Sequence, residues 1–164
     1  MKKVLAIVVA VIVLAGISFW QLGSSSKTAP QAQFTSLDGK QFNTDDLRGK
    51  VVLVKFWATS CVTCIQQMPD TINTYQNYSD QGYDVIAVAM AYDKANYVQN
   101  FAESRELPFT VVHDTQGEIA QAFGDVKLTP TAFLIDKQGR IVKRYLGNYD
   151  QETFVATIKK ALAG

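Results

Sequence analysis

The chain predicts an α/β sandwich with a mixed central sheet, and three observations carry that expectation. Two long apolar runs, Val51 to Trp57 and Tyr83 to Ala91, read as strands covered on both faces. Stretches of helical spacing follow each of them, Cys61 to Ser79 and Lys94 to Glu106. Towards the C-terminus, Thr131 to Asp136 and Ile141 to Leu146 flank Lys137-Gln138-Gly139-Arg140 as an antiparallel hairpin, with a helix after it. Strand, helix, strand, helix, then hairpin and helix, gives a sheet with both parallel and antiparallel neighbours.

The chain begins with a segment of another kind. Met1-Lys2-Lys3 precedes seventeen uncharged residues, Val4 to Trp20. As a helix this run is about 25 Å long, against a hydrocarbon core of about 30 Å. Trp20 stands where an interfacial aromatic belongs, and the two lysines favour a cytoplasmic start. The run is long for a cleaved signal and no A-x-A follows it, which favours an uncleaved anchor over a signal peptide cut near Ser24 to Ser26. Without a cysteine here a lipoprotein signal is excluded. On either reading the remainder lies outside the cytoplasm. The expected division is an anchor or signal over 1–23, a flexible linker over 24–33 (small and polar, without periodicity) and one domain over 34–164.

Composition narrows the function. The 164 residues are 48% apolar and 19% charged, with a net charge of +1. Without Lys2 and Lys3 the balance is 14 basic to 15 acidic residues. No basic face or run marks a nucleic-acid partner. Two cysteines and one histidine are a poor set of ligands for a structural metal.

Within the domain, Phe34 and Ser36 alternate towards Asp38-Gly39, with Gln41-Phe42 beyond, predicting a hairpin at that turn. A short turn over Asp45 to Gly49 leads into the first long strand. In the helix from Cys61 to Ser79, Ile65, Met68, Ile72, Tyr75 and Tyr78 recur at three or four, and Pro69 should kink it by removing the bond to the Ile65 carbonyl. The helix from Lys94 is expected to turn Tyr97, Val98 and Phe101 inward. A short strand over Phe109 to Val112, a short helix over Glu118 to Phe123 and a final helix over Gln151 to Ala163 complete the order.

Both cysteines lie in the first turn of the helix after the first long strand. Cys61 and Cys64, three apart, share one helix face at a separation that suits an unstrained disulfide. With Cys61 as N-cap, its sulfur can accept the free N–H groups of Thr63 and Cys64, and the positive end of the helix dipole favours thiolate. Thiolate is the attacking species, so Cys61 is the expected nucleophile and Cys64 the resolving thiol. A structural disulfide gains most by closing a long loop, and this one spans two residues. A metal site would need partners, and His113 is the only histidine. Redox chemistry is the favoured reading.

WATSCVTC after VVLVKF, the kinking Pro69 and LTPTAFLIDKQGRIV resemble the thioredoxin superfamily, most closely its membrane-anchored, extracytoplasmic TlpA/ResA-like branch, which includes reductants of cytochrome c maturation. The likeness runs from about Phe34 to the C-terminus. It implies a thioredoxin-like three-layer sandwich with helices on both faces of the sheet, an N-terminal β-hairpin extension and a single N-terminal transmembrane helix. It assigns the nucleophile to Cys61 and the resolving thiol to Cys64, and makes Thr129-Pro130 a cis-proline loop beside them. The residues alone give a proline at the mouth of a strand, for which trans is the ordinary expectation. With a cis bond, the Thr129 backbone would face Cys61 and pair with a substrate chain as an added strand.

Three positions depart from the family pattern. Ser60 replaces the usual Trp before the first cysteine and thins the apolar lid; Thr63 replaces the usual Pro before the second. Lys55 stands where thioredoxins bury an acid. Thr63 restores an N–H donor for the Cys61 thiolate, and Lys55, within reach, would add a positive charge; both favour the reduced form and a less negative potential. The competing reading of Lys55 is an ammonium that snorkels to the sheet edge. Trp57 is expected to pack beside the site and shield it. The resemblance implies no cofactor. Its partners are disulfide-bearing exported proteins and a membrane thiol reductase as electron donor. The alternatives are a disulfide-donating oxidase and a copper-handling protein using Cys61, Cys64 and His113.

Overall fold

The computed structural model describes residues 27–164. The apolar run from Val4 to Trp20, and the anchor or signal expected over 1–23, lie outside them. Among the described residues no helix is long and apolar enough to cross a membrane.

The first long apolar run forms β3 (Val51–Trp57), preceded by a small hairpin of β1 (Gln33–Thr35) and β2 (Gln41–Asn43). Gly39, at φ +86°, supplies the left-handed residue of the hairpin turn. The later strands are β4 (Tyr83–Ala89), β5 (Thr110–His113), β6 (Thr131–Ile135) and β7 (Ile141–Leu146). They join β3 in one five-stranded sheet of order β5-β4-β3-β6-β7. The pairs β3/β4 and β4/β5 are parallel, and β6 runs antiparallel to both β3 and β7. The hairpin leans on the β5 edge through a bridge from Ser36 to Val112 and the Leu37 N–H to the Val111 carbonyl.

The helix expected from Cys61 to Ser79 is two helices, α1 (Val62–Gln66) and α2 (Met68–Tyr78), parted at Gln67. Pro69 has no N–H to give the Ile65 carbonyl, and it sits in the first turn of α2, where none is needed. The remaining helices are α3 (Ala95–Ser104), α4 (Glu118–Ala122) and α5 (Gln151–Ala163). The N-cap of α5 is Asp150, whose Oδ1 accepts the Thr153 N–H at 2.8 Å.

Helices cover both faces of the sheet. On one face Val51, Leu53, Trp57, Val85 and Ala87 pack with Cys64 and Met68 of the α1–α2 pair, Val98 of α3, and Phe154 and Ile158 of α5. On the other, Val52, Val54, Phe56, Ile86, Val88 and Phe133 pack with α4 and with Phe34 of the hairpin. The alternation along β3 and β4 sorts these residues between the two cores.

Two expectations are corrected. Tyr97 is 51% exposed, with the Lys94 ammonium 5.2 Å above its ring. The inward stripe of α3 is instead Val98, Phe101 and Ala102 at i, i+3 and i+4. The segment expected as a flexible linker over 24–33 is held in the fold from Lys27 onward. The Lys27 carbonyl accepts the Ile141 N–H, Ala29 donates to the Gly139 carbonyl, and Ala29 is 4% exposed. Small side chains let this segment lie close against the β6–β7 turn.

Candidate active site

The site lies at the C-terminal ends of β3 and β4. After Trp57 the chain makes a turn closed by the Cys61 N–H to the Ala58 carbonyl at 3.1 Å, and α1 begins. Cys61 and Cys64 form a disulfide with Cα atoms 5.2 Å apart, within the ordinary range. Cys61 is the N-cap of α1 and its Sγ accepts the Cys64 N–H at 3.2 Å. The Thr63 N–H, expected as a second donor, makes no such bond. The two sulfurs differ in access: Cys61 is half-buried, whereas Cys64 is 0% exposed in the core beside Trp57 and Met68.

The structure also places the other predicted residues. Ser60 is exposed and Thr63 half-buried. Trp57 is fully buried, its ring 5.1 Å from that of Phe101, and its Nε1 has no hydrogen-bond partner among the described residues. The Thr129–Pro130 bond is cis. Thr129 is half-buried, and neither its N–H nor its carbonyl is hydrogen-bonded among the described residues. The Pro130 carbonyl accepts the Gly147 N–H at 2.9 Å, which ties this loop to the end of β7.

Lys55 does not snorkel. It is 0% exposed, and its Nζ donates to Gln67 Oε1 at 3.1 Å and Thr71 Oγ1 at 3.0 Å. The Tyr149 ring lies 5.9 Å away. Burial pushes the ammonium down to about 8, partly opposed by the Asp70 carboxylate. Cys64, Gln67 and Thr71 follow at helical spacing along the side of α1 and α2 that faces the sheet, so Lys55 lies beneath the helix, one turn on from Cys64. Its bonding partners are the two helix side chains, not a sulfur. Burial also raises the Tyr83 and Tyr149 hydroxyls well above their ordinary range in the same core.

Three residues of the site were not singled out from sequence. Gln67, at the α1–α2 break, accepts from Lys55 and gives its amide to the Gly147 carbonyl and Asn148 Oδ1, each at 3.2 Å. Its signal was a polar residue three positions after Cys64, on the inward face. Asp93 is 8% exposed and accepts both the Thr59 N–H and the Thr59 hydroxyl, the latter at 2.7 Å, so it fixes the turn before Cys61. Tyr92 carries its hydroxyl to 3.2 Å from Thr129 Oγ1. Both belong to the loop after β4, and a carboxylate just past the C-terminal end of a parallel strand is the signal available for Asp93. His113 ends β5 opposite Ala89 and is not brought to the cysteines. Among the described residues no group of three His, Cys, Asp or Glu side chains is placed to hold a metal ion.

A mixed sheet between helical layers, with a two-residue-spaced cysteine pair at the end of its central strand, defines a thiol–disulfide oxidoreductase of thioredoxin fold. The chain belongs to the Redoxin family, which matches residues 24–162, and within the thioredoxin superfamily it is TlpA/ResA-like. It is 36% identical over 134 residues to the thiol-disulfide oxidoreductase ResA of Bacillus thuringiensis subsp. konkukian, covering 82% of this chain and 76% of that protein. A Neisseria meningitidis protein described as a thioredoxin, solved in solution, superposes with a TM-score of 0.79 at 38% identity, covering 85% of this chain and 93% of that one. A Chlorobium tepidum crystal structure, described as the thiol:disulfide interchange protein DsbE, gives 0.77 at 30% identity, covering 85% and 98%.

Proposed function

We propose that this oxidoreductase is tethered to the membrane by residues 1–23, with the fold described over residues 27–164 as its extracytoplasmic catalytic domain, and that it reduces disulfides in exported proteins. The apolar run from Val4 to Trp20 and the ResA and DsbE relatives support that placement. Cytochrome c or cuproprotein maturation is the process the resemblance favours, with a membrane thiol reductase returning the electrons.

The observation that carries the mechanism is the unequal access of the two sulfurs. In the reduced protein the Cys61 thiolate attacks one sulfur of a substrate disulfide. A mixed disulfide forms and the other substrate sulfur leaves as thiolate. Cys64, held behind Cys61, then attacks the Cys61 sulfur, releases the second substrate thiol and closes the Cys61–Cys64 disulfide. Two electrons pass to the substrate, and the membrane reductase restores the dithiol. The free main-chain groups of Thr129, beside Pro130, are positioned to pair with an extended substrate segment. Lys55, Trp57, Ser60 and Thr63 tune the couple: a buried ammonium and an open, lidless approach favour thiolate, so the potential lies above that of a cytoplasmic thioredoxin. Equilibration with glutathione measures it, and a value at or below thioredoxin's contradicts this tuning.

The direct test of the function is a trap. In cells, Cys64→Ser is expected to accumulate mixed disulfides with exported proteins through Cys61, and a Cys61→Ser, Cys64→Ser double variant none. No adducts on Cys64→Ser would overturn the mechanism. Wild-type cysteines found reduced in cells support a reductase, whereas fully oxidised cysteines would reverse the direction to a disulfide donor.

A further inference from the structure

Six large apolar side chains stand exposed among the described residues, and three of them sit on the three segments that carry the site's residues. Val62 lies between the cysteines and is 70% exposed, Leu128 precedes Thr129 and is 64% exposed, and Tyr92 is 59% exposed. Tyr92 comes from the loop after β4, far in sequence from the other two. Its neighbour Asp93 pins that loop by accepting from Thr59 and from the Lys94 N–H, and the Asp93 N–H closes on the Met90 carbonyl at 2.9 Å. The hydroxyl bond to Thr129 then fixes the ring from its far end. An aromatic side chain held at both ends but left open to solvent is already ordered for contact, so little side-chain entropy remains to be lost when a partner covers it. Ser60, the residue before Cys61, is exposed and puts no large side chain there.

We propose that Tyr92 is a specificity residue of the oxidoreductase: its ring forms the apolar wall against which a substrate rests the side chain next to its attacked cysteine. The occupant is an extended, disulfide-bearing segment of an exported protein with an apolar residue flanking the cysteine. Thr129 offers the main-chain groups for that segment, and Val62 and Leu128 add exposed apolar side chains on the two other segments of the site. The same pair of adjacent residues, Tyr92 and Asp93, holds the turn before Cys61 and the loop before Pro130 in one frame, so the wall keeps its place relative to both. The proposal rests on the thiol–disulfide reading above.

The test mixes pre-reduced protein with three disulfides and reads second-order rate constants for its oxidation: a bridged peptide with Leu beside each cysteine, the same peptide with Ser there, and hydroxyethyl disulfide. Tyr92→Ala is expected to slow the Leu peptide about tenfold, the scale of losing one aromatic contact, while the other two probes change less than about twofold. Tyr92→Phe keeps the wall and should retain most of the Leu-peptide rate. An equal loss on all three probes, or no loss on any, would overturn the proposal. Failure of the wild-type protein to reduce hydroxyethyl disulfide would overturn the oxidoreductase reading itself, and this proposal with it.

Discussion

Along β3, Val52, Val54 and Phe56 enter one core while Val51, Leu53, Lys55 and Trp57 enter the other, and the two cores bury different chemistry. The first is built on hydrocarbon and aromatic side chains, with Phe56, Phe123 and Phe133 meeting edge-on or tilted at centroid distances of 5.1 to 6.1 Å. Its buried Asp114 carboxylate is satisfied by the Ile119 and Ala120 N–H groups. The second buries the Lys55 ammonium, and Trp57 Nε1, Tyr83 OH and Tyr145 OH without hydrogen-bond partners among the described residues. One strand thus holds the fold together with its even residues and shapes the redox site with its odd ones. The polar groups on the second face cost stability, since a buried charge or hydroxyl gives up water.

The largest effect should come from the hydrocarbon face. Phe56→Ala removes a fully buried ring from the aromatic cluster and is expected to cost about 3–5 kcal/mol of stability by denaturant unfolding. It should leave the reduction potential unchanged, because it touches neither cysteine. A shift in potential would break the division between the faces.

Lys55→Met should act in the opposite sense. Folding lowers the lysine from 10.5 to about 8, so the charged form is penalised in the folded protein. The folded state binds fewer protons than the unfolded one between those values, and stability therefore rises with pH across that window. Below pH 8 the penalty is complete, on the order of 3 kcal/mol before the bonds to Gln67 and Thr71 offset part of it. At pH 7 the variant is expected to be more stable by about 1–3 kcal/mol. Its advantage should shrink as pH rises from 8 to 10.5, and its potential should become more negative. An advantage independent of pH would contradict a charged Lys55.

Tyr83→Phe is the smallest change. It deletes a buried hydroxyl that has no hydrogen-bond partner among the described residues and should raise stability by about 0.5–1 kcal/mol in the same unfolding measurement. A loss of similar size would show that the hydroxyl is satisfied in solution.

The division between faces explains what could be read in the sequence. β3 emerged from its apolar run, broken only by Lys55, and the hairpin over Asp38-Gly39 and the break near Pro69 from local backbone rules. These are properties of neighbouring residues. Gln67, Tyr92 and Asp93 join the site through partners 12 to 81 residues away, which no local pattern specifies. Lys55 shows the same limit: its place in the strand was plain, but only packing beneath Gln67 and Thr71 decides against the sheet edge. Residues 27–33 carry the small, polar composition of a linker, yet the β6–β7 turn offers them hydrogen bonds.

The central claim is that the fold makes two chemically similar cysteines unequal. Alkylation of the reduced domain with iodoacetamide, followed residue by residue by mass spectrometry at pH 7, tests it most directly. Cys61, half-buried and receiving the Cys64 N–H, should react at least about tenfold faster than the fully buried Cys64. Equal rates, or Cys64 reacting first, would contradict the account.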